Sequence, residues 1–361
     1  MNFYTPASRL IALLALITLT SGASAELLFD SSGTLHVTIE APMRQLIQKR
    51  QYKAEFDGVL RYQDESGNEQ VLAVKLAARG NSRLETCDFP PLRLIVDTAQ
   101  AEGTIFAGQH KLKMVTQCER TSYAKDWLLL ELGVYRAYNV ITDYSYRVRR
   151  LQVTYQDIES ARWERIQPAF IIESTGEVAE RLQRKSIRPP SADVEQYTVA
   201  ETSHSLLFQY FIGNTDFAIK RGPSGEGCCH NGRVLATPGR QDDWIALPYD
   251  FDQAGIINTK YALPSEKFSI NRVTTRLYRG FCSHNDALKD SITLFNERRE
   301  EITSALISPE LKKKKLKRAH KFVDKFYEVI NDPDELYDKI LNKCRGPRSV
   351  PIRKTNVSGS E

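Results

Sequence analysis

The sequence predicts an α+β protein, β-rich over its N-terminal part and mainly helical over its C-terminal part. Two observations carry this. From about residue 33 to residue 118, apolar and polar residues alternate and β-branched types are enriched, the pattern of half-buried strands. Toward the C-terminus the apolar positions recur at helical spacing instead.

The first 25 residues hold a positive residue, Arg9, the apolar run LIALLALITLT, and then SGASA, whose Ala23-Ser24-Ala25 is an A-x-A cleavage signature. This is the grammar of a secretory signal. The apolar run is too short to cross a bilayer core of roughly 30 Å, and no later segment offers a long uncharged stretch. The expectation is an exported chain, periplasmic or extracellular, with no integral membrane segment after signal removal.

TLHVTIEAP and YKAEFDGVLRYQDESGNEQVLAVKLAARG alternate apolar with polar residues and are broken by turn chemistry at ESGN, which predicts an antiparallel hairpin. PLRLIVD and HKLKMVT continue the sheet. TSYAKDWLLLELGVYRAYNV then places Trp127, Leu130, Val134 and Ala137 at helical spacing, with Thr121 or Ser122 as N-cap and Gly133 as an internal cost. Strands resume at YSYRVRRLQVTYQ and QPAFIIES, followed by a short helix over TGEVAERLQR and a connector, IRPPSADVEQ. TVAETSHSLLFQYFIGN is a helix ending at Gly213, with Leu206, Leu207, Tyr210 and Phe211 as its apolar stripe. GRVLATP and DDWIALPYDFD form a second hairpin. NDALKDSITLFNERREEITSAL reads as a helix, and Ser308 with Pro309 as the N-cap and first position of another, over ELKKKKLKRAHKFVDKFYEVIN.

The resulting division is 1–25 signal, 26–165 β-rich region, 166–344 helical region with the candidate site, and 345–361 disordered tail. The 50 basic and 45 acidic residues leave a net charge of +5, a balance that does not call for nucleic acid. KKKKLKR surrounds a buried face made by Leu311, Leu316, Ala319, Val323 and Phe326, and so reads as a solvated face. Asn356-Val357-Ser358 is a glycosylation acceptor only on a eukaryotic secretory path.

Six cysteines in an exported chain favour disulfides. The expected pairs are Cys87 with Cys118, and Cys282 with one of Cys228 and Cys229. A zinc set of Cys228, Cys229, His230, Cys282 and His284 lacks C-x-x-C spacing and needs reduced thiolates.

The candidate chemistry lies in three short blocks. GNTDF closes the apolar helix, HNGRVL opens the second hairpin and PYDFDQAG ends it. Phosphoryl transfer needs a carboxylate to orient the acceptor hydroxyl, an amide oxygen and an acid for Mg²⁺, and a cation for the phosphates. Asp216, Asn231 and Asp250 fit the first three roles in chain order, with Asp252 beside them.

With ARGNSR (Ala78 to Arg83), FPPLRLIV and FIIES (Phe170 to Ser174), these blocks resemble the CotH kinase-like family, named for a spore-coat protein kinase. The resemblance covers roughly residues 75 to 260. It implies an atypical kinase-like fold, ATP with Mg²⁺, and transfer to a protein serine or threonine. By it Asp216 carries the loop carboxylate role and Asp250 the metal role, with Asp252 as second ligand or support. Arg79 and Arg93 lie toward the nucleotide, and Glu173 matches the acid of IIES. The chain departs from the ordinary kinase loop H-R-D-x-x-x-x-N, because AIKRGPSGEGCC separates Asp216 from Asn231. It also has no lysine in FPPLRL, so Lys75, Lys111 and Lys113 on neighbouring strands are the candidates.

Two rivals stand beside this reading. One is a non-catalytic envelope or surface protein that keeps the fold and binds Ca²⁺ or another ligand; the other is a D-x-D metal-dependent transferase of a different fold. Convergence of Asp216, Asn231 and Asp250 on one pocket next to Arg79 or Arg93 discriminates among them.

Overall fold

The computed structural model describes Met1 and residues 27–347; the signal segment, the tail from 348 and the Asn356 acceptor lie outside the described residues. Seven strands close into a barrel: β1 (Leu35–Ala41), β2 (Glu55–Gln63), β3 (Glu69–Ala78), β4 (Leu92–Val96), β5 (Lys111–Thr116), β6 (Val148–Asp157) and β7 (Ser160–Ile172), in the order β1-β2-β3-β4-β5-β7-β6. Every neighbouring pair is antiparallel except β1 with β6, whose parallel pairing closes the barrel. The alternation seen in sequence has one meaning here: one face fills the lumen and the other faces outward. Val37, Ile39, Leu76, Leu94, Met114 and Tyr155 belong to the lumen core. The ESGN turn forms as expected. The Asp64 carboxylate accepts from the Ser66 and Asn68 amides, both at 2.9 Å, and Gly67 takes φ 81°. Three short helices decorate the barrel: α1 (Met43–Gln48), α2 (Ser82–Thr86) and α3 (Thr98–Ala101).

Between β5 and β6 runs α4 (Ser122–Ile141), capped by Thr121, whose side chain accepts from the Ala124 amide at 3.2 Å. Gly133, a cost in isolation, has a packing reason: a Cβ there would lie 2.0 Å from the Leu306 carbonyl oxygen. After the barrel come α5 (Thr175–Arg181), started by a Ser174–Glu177 capping box, and β8 (Lys185–Ile187), a strand where the sequence predicts only the junction of a short helix and a connector. Next, α6 (Val199–Ile212) ends at Gly213, φ 66°, and β9 (Gly232–Ala236) pairs with both β8 and β10 (Ile245–Pro248).

The C-terminal helices are α7 (Leu288–Glu297), α8 (Arg299–Leu306), α9 (Lys313–Asn331) and α10 (Pro333–Lys339). Two expectations need correction. NDALKDSITLFNERREEITSAL is interrupted at Arg298, whose guanidinium donates to the Val140 carbonyl of α4. The last long helix starts at Lys313 rather than Pro309, because Ser308 Oγ accepts from the Glu310 amide and the Glu310 carboxylate is drawn out to Lys125 and Arg150. The apolar stripe of α9 is buried as expected, with Ala319, Val323 and Phe326 inside and the lysines around it.

A second core joins α4, α6, α7, α8 and α9 to the outer face of the barrel and includes Val115, Phe170 and Ile172 together with Phe211, Phe295 and Phe326. The chain therefore interleaves its two halves. α4 precedes β6 and β7 in sequence yet packs with the C-terminal helices, and β7 carries the barrel through position 165 to Ile172.

Cys87–Cys118 is bonded as expected. Cys282 pairs with Cys344 instead of with Cys228 or Cys229, which bond to each other. The reason is backbone pairing: the Cys282 amide donates to Arg345 O (3.0 Å) and the Arg345 amide to Gly280 O (2.9 Å), which brings Cys344 alongside. With all six cysteines bonded, the zinc set has no thiolate to offer. Among the described residues no helix is long and apolar enough to cross a membrane.

Candidate active site

A cavity of about 760 Å³ lies between the outer face of the barrel and the segments after α6 and β10. Its barrel wall is set by strand register. Ala77, Arg93, Lys113 and Ile172 are direct partners across β3, β4, β5 and β7, and Arg79 follows two residues beyond Ala77. Arg93 and Lys113 thus stand opposite each other, an arrangement of like charges that costs stability in a sheet. Neither they nor Arg79 has a carboxylate within ion-pair range among the described residues. Tyr249 is the nearest relief: Lys113 Nζ lies 4.5 Å from its ring centroid and Arg233 Cζ 4.7 Å. Burial, reinforced by Arg79 and Arg233, pushes the Lys113 ammonium down to about 8. Arg188 adds a further cation at the rim.

The opposite wall is acidic and pre-ordered. Past Gly213, Asn214 Oδ1 accepts from the Asp216 amide (2.9 Å) while its Nδ2 donates to Gln209 Oε1 (2.9 Å), fixing the turn that presents Asp216. His230 Nε2 lies 2.8 Å from Asp216 Oδ1, and Asn231 Nδ2 donates to Asp216 Oδ2 (2.9 Å) and its carbonyl (2.8 Å). The hydrogen bond to Asp216 raises the His230 pKa. The long insertion after Asp216 does not separate the two residues in space, because Ala218 and His230 form an antiparallel bridge that returns the chain to its start.

Asp250 leaves β10 with φ 62°, its amide donating to the Tyr135 hydroxyl at 3.0 Å. Holding a non-glycine residue there costs free energy, a feature common at functional positions. Burial first, and then the neighbouring Asp252 charge, raises the Asp250 pKa. Phe251, fully buried, pins the loop between the two acids. Asp252 is 6% exposed and accepts from Arg83 Nε at 2.9 Å; Arg83 Nη2 bridges on to Glu131 of α4 at 2.5 Å. Burial pushes the Glu131 carboxyl up to about 7 against the pull of Arg83.

Six of the seven residues singled out from sequence line this one cavity: Arg79, Arg93, Asp216, Asn231, Asp250 and Asp252. Glu173 does not. It is 1% exposed, and its carboxylate accepts from the Arg147 amide (2.9 Å), Arg147 Nε (3.1 Å) and Arg181 Nη2 (3.0 Å), so it ties β6 to α5 and offers nothing to a nucleotide. Of the three lysines, only Lys113 lines the cavity; Lys75 faces Asp57 at 3.8 Å. Sequence reasoning missed Arg83, Glu131, Tyr135, His230, Arg233 and Tyr249. Two of them carried a signal: Arg83 ends the ARGNSR block, and Glu131 is a single acid inside the apolar run LLLELGV.

The donor set suits a hard cation. Among the described residues Asp250 has a carboxylate free of ion pairs, and the Asn231 amide oxygen stands available because its nitrogen makes the contacts to Asp216. Both Asp216 oxygens are engaged, and Asp252 has Oδ2 held by Arg83, which casts the two as supports in this arrangement. Among the described residues no three His, Cys, Asp or Glu side chains are grouped to hold a metal by themselves. Mg²⁺ asks for less, since one or two carboxylates with phosphate and water complete its shell. No family model matches the chain, and neither a curated protein nor a solved structure matches it.

Proposed function

We propose that this is an exported kinase-like protein of the CotH type, which uses the cavity to bind ATP with Mg²⁺ and transfers the terminal phosphoryl group to a serine or threonine hydroxyl of a protein. One observation carries the reading: unpaired cations in register on the barrel wall face Asp216, Asn231 and Asp250 across a single cavity. Arg79, Arg93, Lys113 and Arg233 offer donors and positive charge for phosphates, which relieves the repulsion between Arg93 and Lys113. Asp250 and Asn231 would hold the metal, which when bound neutralises phosphate charge. Asp216, oriented by His230 and Asn231, positions the acceptor hydroxyl and takes its proton. Arg83 holds Asp252 and so the loop bearing Asp250.

A second reading has an observation of its own. Both Asp216 oxygens are already hydrogen-bonded within the protein, which suits a binding site that retains a phosphorylated ligand without transfer. Incubation with terminally labelled ATP, Mg²⁺ and a mixture of envelope proteins separates the two. Label on a protein hydroxyl that disappears in Asp216→Ala supports transfer; tight nucleotide binding with no transferred label supports the binding protein.

A further inference from the structure

The barrel carries a second polar opening, unrelated to the cavity just described. Arg165 and Gln167 lie on β7 in the same alternation as Ala169 and Ile171, whose side chains belong to the lumen core, so they continue that face toward one end of the barrel. There they border a smaller cavity of about 240 Å³ with Gln117, Arg120, Glu164 and Ile166.

Arg165 is 7% exposed, and among the described residues no carboxylate pairs with it. Its Nε donates to Gln167 Oε1 at 2.5 Å, Nη2 reaches the Gln117 carbonyl at 3.3 Å, and the guanidinium lies 4.5 Å from the Phe89 centroid. Among the described residues no acceptor meets Nη1. Gln167 is 4% exposed, and its Nε2, buried beside the Tyr155 hydroxyl, makes no full hydrogen bond among the described residues. A buried, uncompensated guanidinium and an orphaned amide donor each cost free energy, and both costs are removed by one acceptor placed between them.

The surroundings argue for an anion rather than a neutral acceptor. Arg120 stands at the same cavity and, among the described residues, donates only to the Glu164 carbonyl, at 3.5 Å. Glu164 itself turns its carboxylate to Gln156 Nε2 at 3.1 Å. Burial and then Arg120 press the Arg165 pKa down to about 10, while Asp88 opposes them more weakly. The pocket is also built rather than incidental. Gln117 is fixed by its Nε2 bonds to the Glu119 and Thr121 carbonyls, and Phe89 is fixed by its amide bond to Cys118 O, beside the Cys87–Cys118 disulfide.

We propose that this barrel mouth is a binding site for one oxyanion group of a small molecule, held by Arg165, Gln167 and Arg120. A carboxylate and a phosphate monoester share the required chemistry, and the cavity accommodates a few atoms beyond the charged head.

Calorimetric titration of the full chain with inorganic phosphate and with N-acetylglycine tests this. The expected result is saturable binding of at least one probe, weakened tenfold or more in Arg165→Met and unchanged in Lys289→Met, which removes an exposed charge from α7 and touches neither cavity. Saturation by phosphate alone assigns a phosphate ester, and by N-acetylglycine a carboxylate. Gln167→Glu guards against a misfolded Arg165 variant. It gives Arg165 an internal counter-ion, so the binding that depends on Arg165 should vanish while the melting temperature rises. Absence of saturable binding of either probe, or binding that is the same in the wild type, Arg165→Met and Gln167→Glu, overturns the proposal.

Discussion

The two walls of the large cavity are built by opposite strategies. On the barrel wall, closed strands fix Arg93 against Lys113, and no acid among the described residues pairs with them. On the other wall two loop carboxylates are held by neighbours, Asp216 by His230 and Asn231 and Asp252 by Arg83, beside the Asp250 carboxylate. A rigid wall that is electrostatically unsatisfied beside a looped wall that is pre-ordered is the division of labour expected of an anion site. The free energy of the missing partner is left for the ligand to supply.

The largest effect is expected where the walls are tied together. Arg83→Met leaves Glu131 and Asp252 buried without their cation, at a cost of about 3–5 kcal/mol by urea denaturation. That loss should shrink at acid pH, where the raised Glu131 carboxyl is neutral. Next comes the Cys282–Cys344 bond, which closes a separation of 62 residues; Cys344→Ala should cost up to about 4 kcal/mol.

The comparison itself is sharpened by Lys113→Met. If the barrel wall is strained for want of an anion, the variant loses phosphate-ligand affinity by roughly ten- to a hundredfold and yet gains stability without ligand, by up to about 1 kcal/mol. A variant that loses both would mean that Lys113 is structural. The pH dependence gives the smallest and most specific effect. The folded-state pKa of Lys113, about 8, lies below the ordinary 10.5, so between these values the unfolded chain binds more protons and stability rises with pH. The wild type should therefore gain on Lys113→Met from about pH 8 to about pH 10.5, while its affinity for phosphate ligands falls over the same range.

Local pattern made most elements legible. Period-two alternation announced the barrel strands, and Thr121 and Gly213 marked helix ends where they occur. Closure of the barrel was not legible, since the parallel pairing of β1 with β6 joins segments more than a hundred residues apart and leaves no local mark. The break at Arg298 and the late start of α9 were equally hidden, because tertiary bonds to Val140, Lys125 and Arg150 decide them. In the site, order along the chain found Asp216, Asn231 and Asp250, whereas Arg233 and Tyr249 gain meaning only from cross-wall proximity to Lys113. Glu173 shows the converse error: a block match carried an acid into the site, and burial between Arg147 and Arg181 removes it.

The central claim is that the two walls act together on a metal-bound polyphosphate. Equilibrium binding of a non-hydrolysable ATP analogue to the oxidised protein, with and without Mg²⁺, in the wild type and in Asp250→Ala, tests it most directly. Mg²⁺-dependent saturation is expected in the wild type, with the metal dependence lost in Asp250→Ala while a weaker, salt-sensitive affinity from the barrel wall remains. Binding that is absent, or that is identical in the two proteins with and without Mg²⁺, would contradict it.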